Sequence, residues 1–173
     1  EKVRMLDVNS DCPNVGRGRK LSEPPVVAED KRMRPPERFG VKVMSMGFFQ
    51  QNEEEAIIWR GPMVHNAINQ FLQSTDWGDL DYLVIDLPPG TGDAQLTLCQ
   101  ETPLTGGVVV TTPQDVSLID ARKGLLMFRN LHVPILGLVE NMSFFECPSC
   151  QHRTEVFRHG GGKRTAEQMD VPF

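Results

Sequence analysis

Hydrophobic and polar positions along the chain change period several times, and each change marks an element. Residues 1–8 (EKVRMLDV) read as a strand whose carboxyl end carries Asp7. Residues 41–46 (VKVMSM) alternate and read as a second, short strand. Behind Pro62, which a first helical turn tolerates, Met63, Val64, Ala67, Ile68, Phe71 and Leu72 recur at helical spacing, and Trp77-Gly78 ends that helix. Three unbroken apolar runs follow at residues 82–85, 108–110 and 135–139, the pattern of strands covered on both faces. Between the last two, residues 116–130 read as a helix with Asp115 as its N-cap. A last short helix follows the Gly160-Gly161-Gly162 run. Strand, helix, strand at this spacing is a parallel βαβ unit. The fold class expected is α/β, three layers around a mainly parallel sheet. Residues 1–173 are expected as one domain, with residues 9–40, rich in Gly, Pro and charge, as a long loop.

In open parallel sheets, ligands bind at the carboxyl ends of the strands. Polar residues sit at four of those ends: Asp7, Asp86, Thr111 with Thr112, and Glu140 with Asn141. Four in register point to a ligand site along one sheet edge.

Composition narrows the function classes. The chain has 173 residues, 39% hydrophobic and 24% charged, ordinary for a globular protein. No apolar run approaches the roughly 20 residues that span a bilayer, so no membrane partner is expected. The formal charge of −5 argues against nucleic acid as the main partner. The basic cluster Arg17, Arg19 and Lys20 sits among glycines and reads as a solvated loop. No signal peptide is apparent, although the chain starts in mid-pattern. Of the four cysteines, Cys12 and Cys99 are isolated and Cys147 and Cys150 form a C-x-x-C pair. This is no secreted disulfide scaffold; reduced thiols in a cytoplasm are expected.

Two strings carry chemistry. In Asp86-Leu87-Pro88-Pro89-Gly90-Thr91-Gly92-Asp93, an aspartate ends an apolar strand, where it can hold Mg²⁺, usually through water. Gly90 lets a backbone N–H approach a terminal phosphate with no Cβ in the way. The prolines stiffen the loop, so it can move as a unit when that phosphate leaves. The blander reading is a Pro/Gly turn that caps a strand. The second string is Cys147-Pro148-Ser149-Cys150, whose two thiolates can bind one soft metal centre from one side. A redox dithiol normally opens a helix, whereas CQHRTEVF reads as a turn and a short strand. Two uninvolved cysteines are the blander reading, and a Cys₂His₂ zinc site with His152 and His159 is a rival. The other way to four ligands is two C-x-x-C pairs meeting at a two-fold axis, which suits a shared 4Fe–4S cluster.

From about residue 34 to residue 173 the sequence resembles the Mrp/ApbC family of iron–sulfur cluster carriers, relatives of MinD and the nitrogenase iron protein. The matching strings are MRPPERFGVKVMSMGF, WRGPM, WGDLDYLVIDLPPGTGD, TTPQDVSLIDARKG, VPILGLVENMSFFECPSC and GGGKRTAEQMDVPF. The resemblance implies a P-loop-type NTPase fold, ATP and Mg²⁺ as cofactors, and a homodimer holding a 4Fe–4S cluster between the Cys147/Cys150 pairs. It implies delivery of that cluster to recipient apo iron–sulfur proteins, with ATP controlling loading and release. Carried over by position, Asp86 and Gly90 become magnesium and γ-phosphate residues, Asn141 the reader of adenine, and Cys147 and Cys150 the cluster ligands. On its own, Asn141 reads as a strand-end cap.

The departures bear on catalysis. Nothing in the chain matches G-x-x-x-x-G-K-[ST]. The chain is expected to begin at the family's second strand, where a D-x-D pair precedes a Gly-Pro. Asp7 fits the first aspartate; Asn9 stands at the second, the water-positioning one, and Cys12 at the glycine. ATP hydrolysis by these residues alone is therefore expected to be negligible, and a strand missing from the middle of the sheet is expected to leave its neighbours unpaired. The rival functions are a nucleotide-incompetent zinc or cluster-binding module, and a MinD-like regulatory switch without metal.

Overall fold

The computed structural model describes residues 2–8, 25–49, 61–88 and 90–173. The expectations for Asn9, Cys12 and the Arg17/Arg19/Lys20 cluster lie outside the described residues. The chain groups into two compact units: Glu1–Pro89 with Asp93–Leu98, and Gly90–Gly92 with Cys99–Phe173.

The first unit is built on a four-stranded sheet. Its strands are β1 (Val3–Asp7), β4 (Glu37–Arg38), β5 (Val41–Ser45) and β6 (Tyr82–Asp86), in the order β4-β5-β1-β6. β1 pairs parallel with both β5 and β6, while β4 folds back antiparallel on β5. Residues 25–40, expected as part of a long loop, also carry β2 (Val26–Val27) and β3 (Met33–Arg34), paired antiparallel. β3 is tied down because the Met33 N–H donates to the Ser74 carbonyl (2.8 Å) and the Met33 carbonyl accepts from Asp76 N–H (2.8 Å). A single turn of 3₁₀ helix, Met46–Phe49, follows β5. Helix α1 (Gly61–Gln73) starts where Pro62 predicts and stops short of Trp77. Ile68 and Phe71 of its apolar stripe are buried with Leu6, Met44 and Met46, and each such side chain contributes roughly 1.5–3 kcal/mol on leaving water.

Helix α2 (Asp93–Glu101) crosses the boundary between the units. In the second unit β7 (Gly107–Thr111) and β8 (Ile135–Glu140) pair parallel, with a register shift between Gly107 and Val108. Helix α3 (Asp115–Asn130) connects them, completing the predicted βαβ unit. Its N-cap is Gln114, extended and without a side-chain bond; Asp115 is already inside the first turn, where a negative charge suits the helix dipole. The core here is Ala121, Leu125, Leu138 and Ala166, the last from α4 (Gly161–Gln168). β9 (Phe145–Glu146) and β10 (Arg153–Thr154) form a separate antiparallel pair.

The apolar runs are not covered on both faces as their composition predicts. Tyr82 and Val84 of β6 are more than half exposed, as are Val108 and Val110 of β7. β6 ends its sheet, and β7 has a partner only in β8, so among the described residues neither has a strand on its other side.

Candidate functional site

Two sets of sequence-predicted residues are assembled, one in each unit. In the first unit, the register of β1 on β6 sets Asp7 directly beside Asp86 at the carboxyl ends of both strands. The register of β1 on β5 sets Ser45 on the other side of Asp7. Asp7 is fully buried, and the equally buried Ser45 hydroxyl donates to its Oδ2 at 2.9 Å. Ser45 Oγ in turn accepts the Gly47 N–H at 3.1 Å, which links the carboxylate to the turn after β5. Beside it, the Asp86 carbonyl accepts the Val8 N–H at 2.9 Å. Burial pushes the Asp86 carboxyl above its ordinary range, because a charge there loses hydration. The loop after Asp86 is held by Gln95, a buried side chain whose Nε2 donates to the Pro88 carbonyl at 2.6 Å. Gly90, which groups with the second unit, has φ +96°, a conformation open to glycine and strained for other residues.

Ser45 is the participant that motif reading misses. Its signal is its place: it ends an apolar strand as Asp7 and Asp86 do, but within VKVMSM it looks like one polar position of an alternating strand.

In the second unit, β8 delivers Glu140 and Asn141 to its carboxyl end. The Asn141 N–H donates to the Thr111 carbonyl at 2.8 Å, and its Oδ1 accepts the Met142 N–H at 2.8 Å. Asn141 thus serves as a strand-end cap, with its side chain exposed. The chain then projects as a small finger. The Cys147 N–H donates to the His152 carbonyl (3.0 Å), and the Gln151 N–H donates back to the Cys147 carbonyl (2.8 Å). Below the turn, Arg153 Nε donates to Glu146 Oε2 at 3.0 Å, and its guanidinium lies 4.3 Å from the Phe144 ring centre. These contacts fix the turn that carries Cys147 and Cys150.

The thiols suit a metal. Cys150 is exposed and Cys147 half-buried. The backbone N–H groups of Cys150 and Ser149, with the Cys150 thiol, hold the Cys147 thiol below its ordinary range by stabilising the thiolate. Metal ligands are thiolates, so this turn lowers the cost of binding. Cys99 behaves oppositely: burial pushes its thiol up, and it stands alone on α2. Among the described residues no three His, Cys, Asp or Glu side chains are grouped for a metal ion, so His152 and His159 do not join the cysteine pair within this chain.

Similarity to known proteins bears on both sets of residues. The family profile described as ParA: NUBPL iron-transfer P-loop NTPase matches residues 1–173. The chain belongs to the NUBPL iron-transfer P-loop NTPase family. It is 52% identical over 173 residues to the iron-sulfur cluster transfer protein NUBPL of Dictyostelium discoideum, covering 99% of this chain and 53% of that protein. It is 47% identical over 172 residues to an iron-sulfur cluster carrier protein of Pseudomonas fragi, covering 98% of this chain and 60% of that one. The Arabidopsis thaliana iron-sulfur protein required for NADH dehydrogenase, mitochondrial by name, is 47% identical over 170 residues, with coverage of 98% and 54%. The chain thus spans about half the length of these NUBPL-family relatives.

Among solved structures, a nucleotide-binding protein from Archaeoglobus fulgidus in complex with ADP matches with TM-score 0.81 and 35% identity, covering 100% of this chain and 67% of that one. MinD of Aquifex aeolicus matches with TM-score 0.50 and 14% identity, a likeness of fold alone. The α/β, mainly parallel architecture of the P-loop NTPase type is therefore established for this chain. Among the described residues, no helix is long and apolar enough to cross a membrane.

Proposed function

We propose that this chain carries the metal-binding part of an iron–sulfur cluster carrier, with Cys147 and Cys150 holding the cluster as cargo. The observation that carries the reading is the turn itself: two accessible thiols, two residues apart, with backbone N–H groups favouring the thiolate of Cys147. Two thiols are half a tetrahedral set, and no third donor is grouped with them among the described residues. The remaining two come from a second copy, so the cluster is a 4Fe–4S centre shared across a homodimer through Cys147 and Cys150. Its recipients are apo iron–sulfur proteins whose own cysteines take over the cluster.

Asp86, Gly90 and Asn141 are the residues of this chain that would face an ATP–Mg²⁺ complex. The donor chemistry fits the metal half of such a site: Asp86 stands at a strand end, next to the buried Asp7. Bound Mg²⁺ would supply positive charge against the phosphates; Asp86, with Asp7 buried beside it, would hold it, and the Gly90 N–H would meet the terminal phosphate. Thiols that stay reduced suit a reducing compartment, and we assign the cytoplasm; the Arabidopsis relative carries a mitochondrial name.

The test is anaerobic loading with ferrous iron and sulfide. Cys147→Ala or Cys150→Ala should abolish both the cluster and the metal-linked dimer. Cys99→Ala, His152→Ala and His159→Ala should leave both intact. Full metal retention by the Cys147→Ala, Cys150→Ala double variant would sink the reading. Loss of metal in either histidine variant would favour a zinc site within one chain.

A further inference from the structure

The finger leaves the sheet at Glu140 and rejoins the body of its unit at Gly161, where α4 begins. One side chain touches both ends of that excursion. Glu140 Oε1 accepts the Ser143 hydroxyl at 2.9 Å on the outgoing side and the Gly160 N–H at 3.4 Å on the returning side. Glu140 Oε2 accepts the Gly162 N–H at 2.5 Å. The Ser143 hydroxyl also lies 3.3 Å from the Glu140 carbonyl, so the outgoing side is tied twice to the same residue.

The returning side is shaped to receive this carboxylate. A Cβ on Gly162 would lie 2.9 Å from Glu140 Cβ, closer than real side chains approach, and 3.0 Å from Oε2, tighter than most. A Cβ on Gly161 would lie 2.7 Å from Leu118 Cδ1. The glycine run therefore lets the backbone come within hydrogen-bond reach of Glu140 while seated against α3. The accepted N–H groups belong to the first turn of α4, which lacks partners within its own helix and carries the positive end of the helix dipole. Gly160, the N-cap, has no side chain to supply that acceptor. Burial alone would raise the Glu140 pKa; the bonds from Gly162, Ser143 and Gly160 and the nearby His159 more than reverse this, and the net shift is downward. The carboxylate is thus ionised at neutral pH.

The base under this clamp is rigid. β8 contributes Leu138 to the core and α4 contributes Ala166, so Glu140 joins two elements already packed on each other. The finger beyond it is largely exposed; outside its own hairpin and neck it has the Arg158–Asp115 pair to α3, 3.4 Å long and about four-fifths exposed on both side chains, and a surface pair of this kind holds little. Its direction is therefore set mainly at its neck.

We propose that Glu140 is a positioning residue for the cysteine finger: by tying Ser143 to Gly160 and Gly162 across the neck, it fixes how Cys147 and Cys150 are presented to a shared metal centre. The proposal rests on the reading of those cysteines as metal ligands. A finger free at its neck still has both thiols two residues apart. It presents them in many orientations, and a centre that needs four thiols from two chains is then held less often in full.

The protein is loaded anaerobically with ferrous iron and sulfide, and iron release to a chelator is timed for wild type, Glu140→Ala, Glu140→Gln and the Cys147→Ala, Cys150→Ala double variant. Amide exchange at Gly160 and Gly162 is read in the unloaded proteins. Phe71→Leu, which cuts the core of the first unit, serves as a control for lost stability. Glu140→Ala should release iron on the order of ten-fold faster or more and lose protection at both glycines. Glu140→Gln keeps one acceptor and should fall between Ala and wild type, and it supplies the answer if Glu140→Ala does not fold. Cobalt(II) should still give its thiolate charge-transfer bands in both Glu140 variants, since the local cysteine pair is untouched. Release as slow as wild type in both Glu140 variants would overturn the proposal, as would equal acceleration in Phe71→Leu. Iron held equally by wild type and the double cysteine variant would overturn the cysteine reading instead, and this proposal with it.

Discussion

The two chemical regions of this chain are built on opposite plans. Asp7 and Ser45 are sealed inside the first unit, on strands paired on both sides, and Asp7 is positioned before any ligand arrives. Cys147 and Cys150 sit on the turn between two short strands, outside the core of the second unit, and their geometry comes from that turn and its own hydrogen bonds. A buried carboxylate needs satisfied donors around it, because an isolated charge in a core is costly. Exposed thiols need no such enclosure, only a short rigid turn held at its neck, and exposure is what would let a partner reach a metal there. On the function proposed, the plan of each region follows from its cargo: one would hold a hard ion against the sheet, and the other would hand a soft one away. Stability should therefore be invested in the first region and little of it in the second.

The sharpest break between the regions should come from paired substitutions. Ser45→Ala removes a hydrogen bond to a fully buried carboxyl group and should cost about 1–3 kcal/mol. Cys150→Ala, exposed and outside the core, should stay within about 0.5 kcal/mol of wild type. Urea melts of the unloaded proteins measure both. Equal costs would erase the distinction between a built-in and a presented site.

A second contrast lies within the sheets. β1 has partners on both sides, whereas β6 and β7 show exposed apolar residues and, among the described residues, one unpaired edge each. Open apolar edges recruit other strands. Val110 is 63% exposed on β7, and Val110→Lys should reduce self-association several-fold in sedimentation experiments with little change in the melt. Unchanged self-association would place the sticky surface elsewhere, and the apolar residues of the finger, Phe144 and Phe145, would be the next to vary.

Much of this was legible in the chain itself. The strands ending in Asp7, Asp86 and Glu140 came from apolar runs with a polar stop, and the βαβ order from their spacing. Asp86 and the cysteine pair stood out because their strings are rare without a ligand. Other features could not be read along the chain. Ser45 matters only because β5 pairs with β1 in a register that sets its hydroxyl against Asp7, and pairing is not a local property. Glu140 was visible as a strand-end polar residue, but its bond to Gly162 spans 22 positions and depends on where the finger returns. The short strands β2 and β3 escaped notice because two-residue strands leave no period to detect. The exposed faces of β6 and β7 contradict the coverage that their composition predicts, since composition reports what a strand would bury and not whether a neighbour is there to bury it.

The smallest effect expected concerns Asp86, and it tests whether the carboxylate region is strained while empty. Burial raises the folded pKa of Asp86 above its unfolded value. The sign follows from linkage: a carboxyl with a raised folded pKa favours folding most when protonated, below the unfolded value of about 3.9. That contribution is lost as pH rises through the folded value. At neutral pH the ionised Asp86 is therefore slightly destabilising, and its partial exposure keeps the penalty small. Asp86→Asn removes the charge and keeps the shape, so without divalent cations it should melt about 1–2 °C higher than wild type at pH 7. The difference should shrink as pH falls and vanish below the unfolded value of about 3.9, where the group is protonated folded or unfolded. Magnesium should reverse the order if Asp86 holds the ion, because the cation stabilises the carboxylate and gains nothing from the amide. Scanning calorimetry at the two pH values, with and without magnesium, separates these outcomes. An Asn variant that melts lower at pH 7 in the absence of magnesium would show that the carboxylate is already compensated within the fold, and the contrast between the two regions would then narrow to exposure alone.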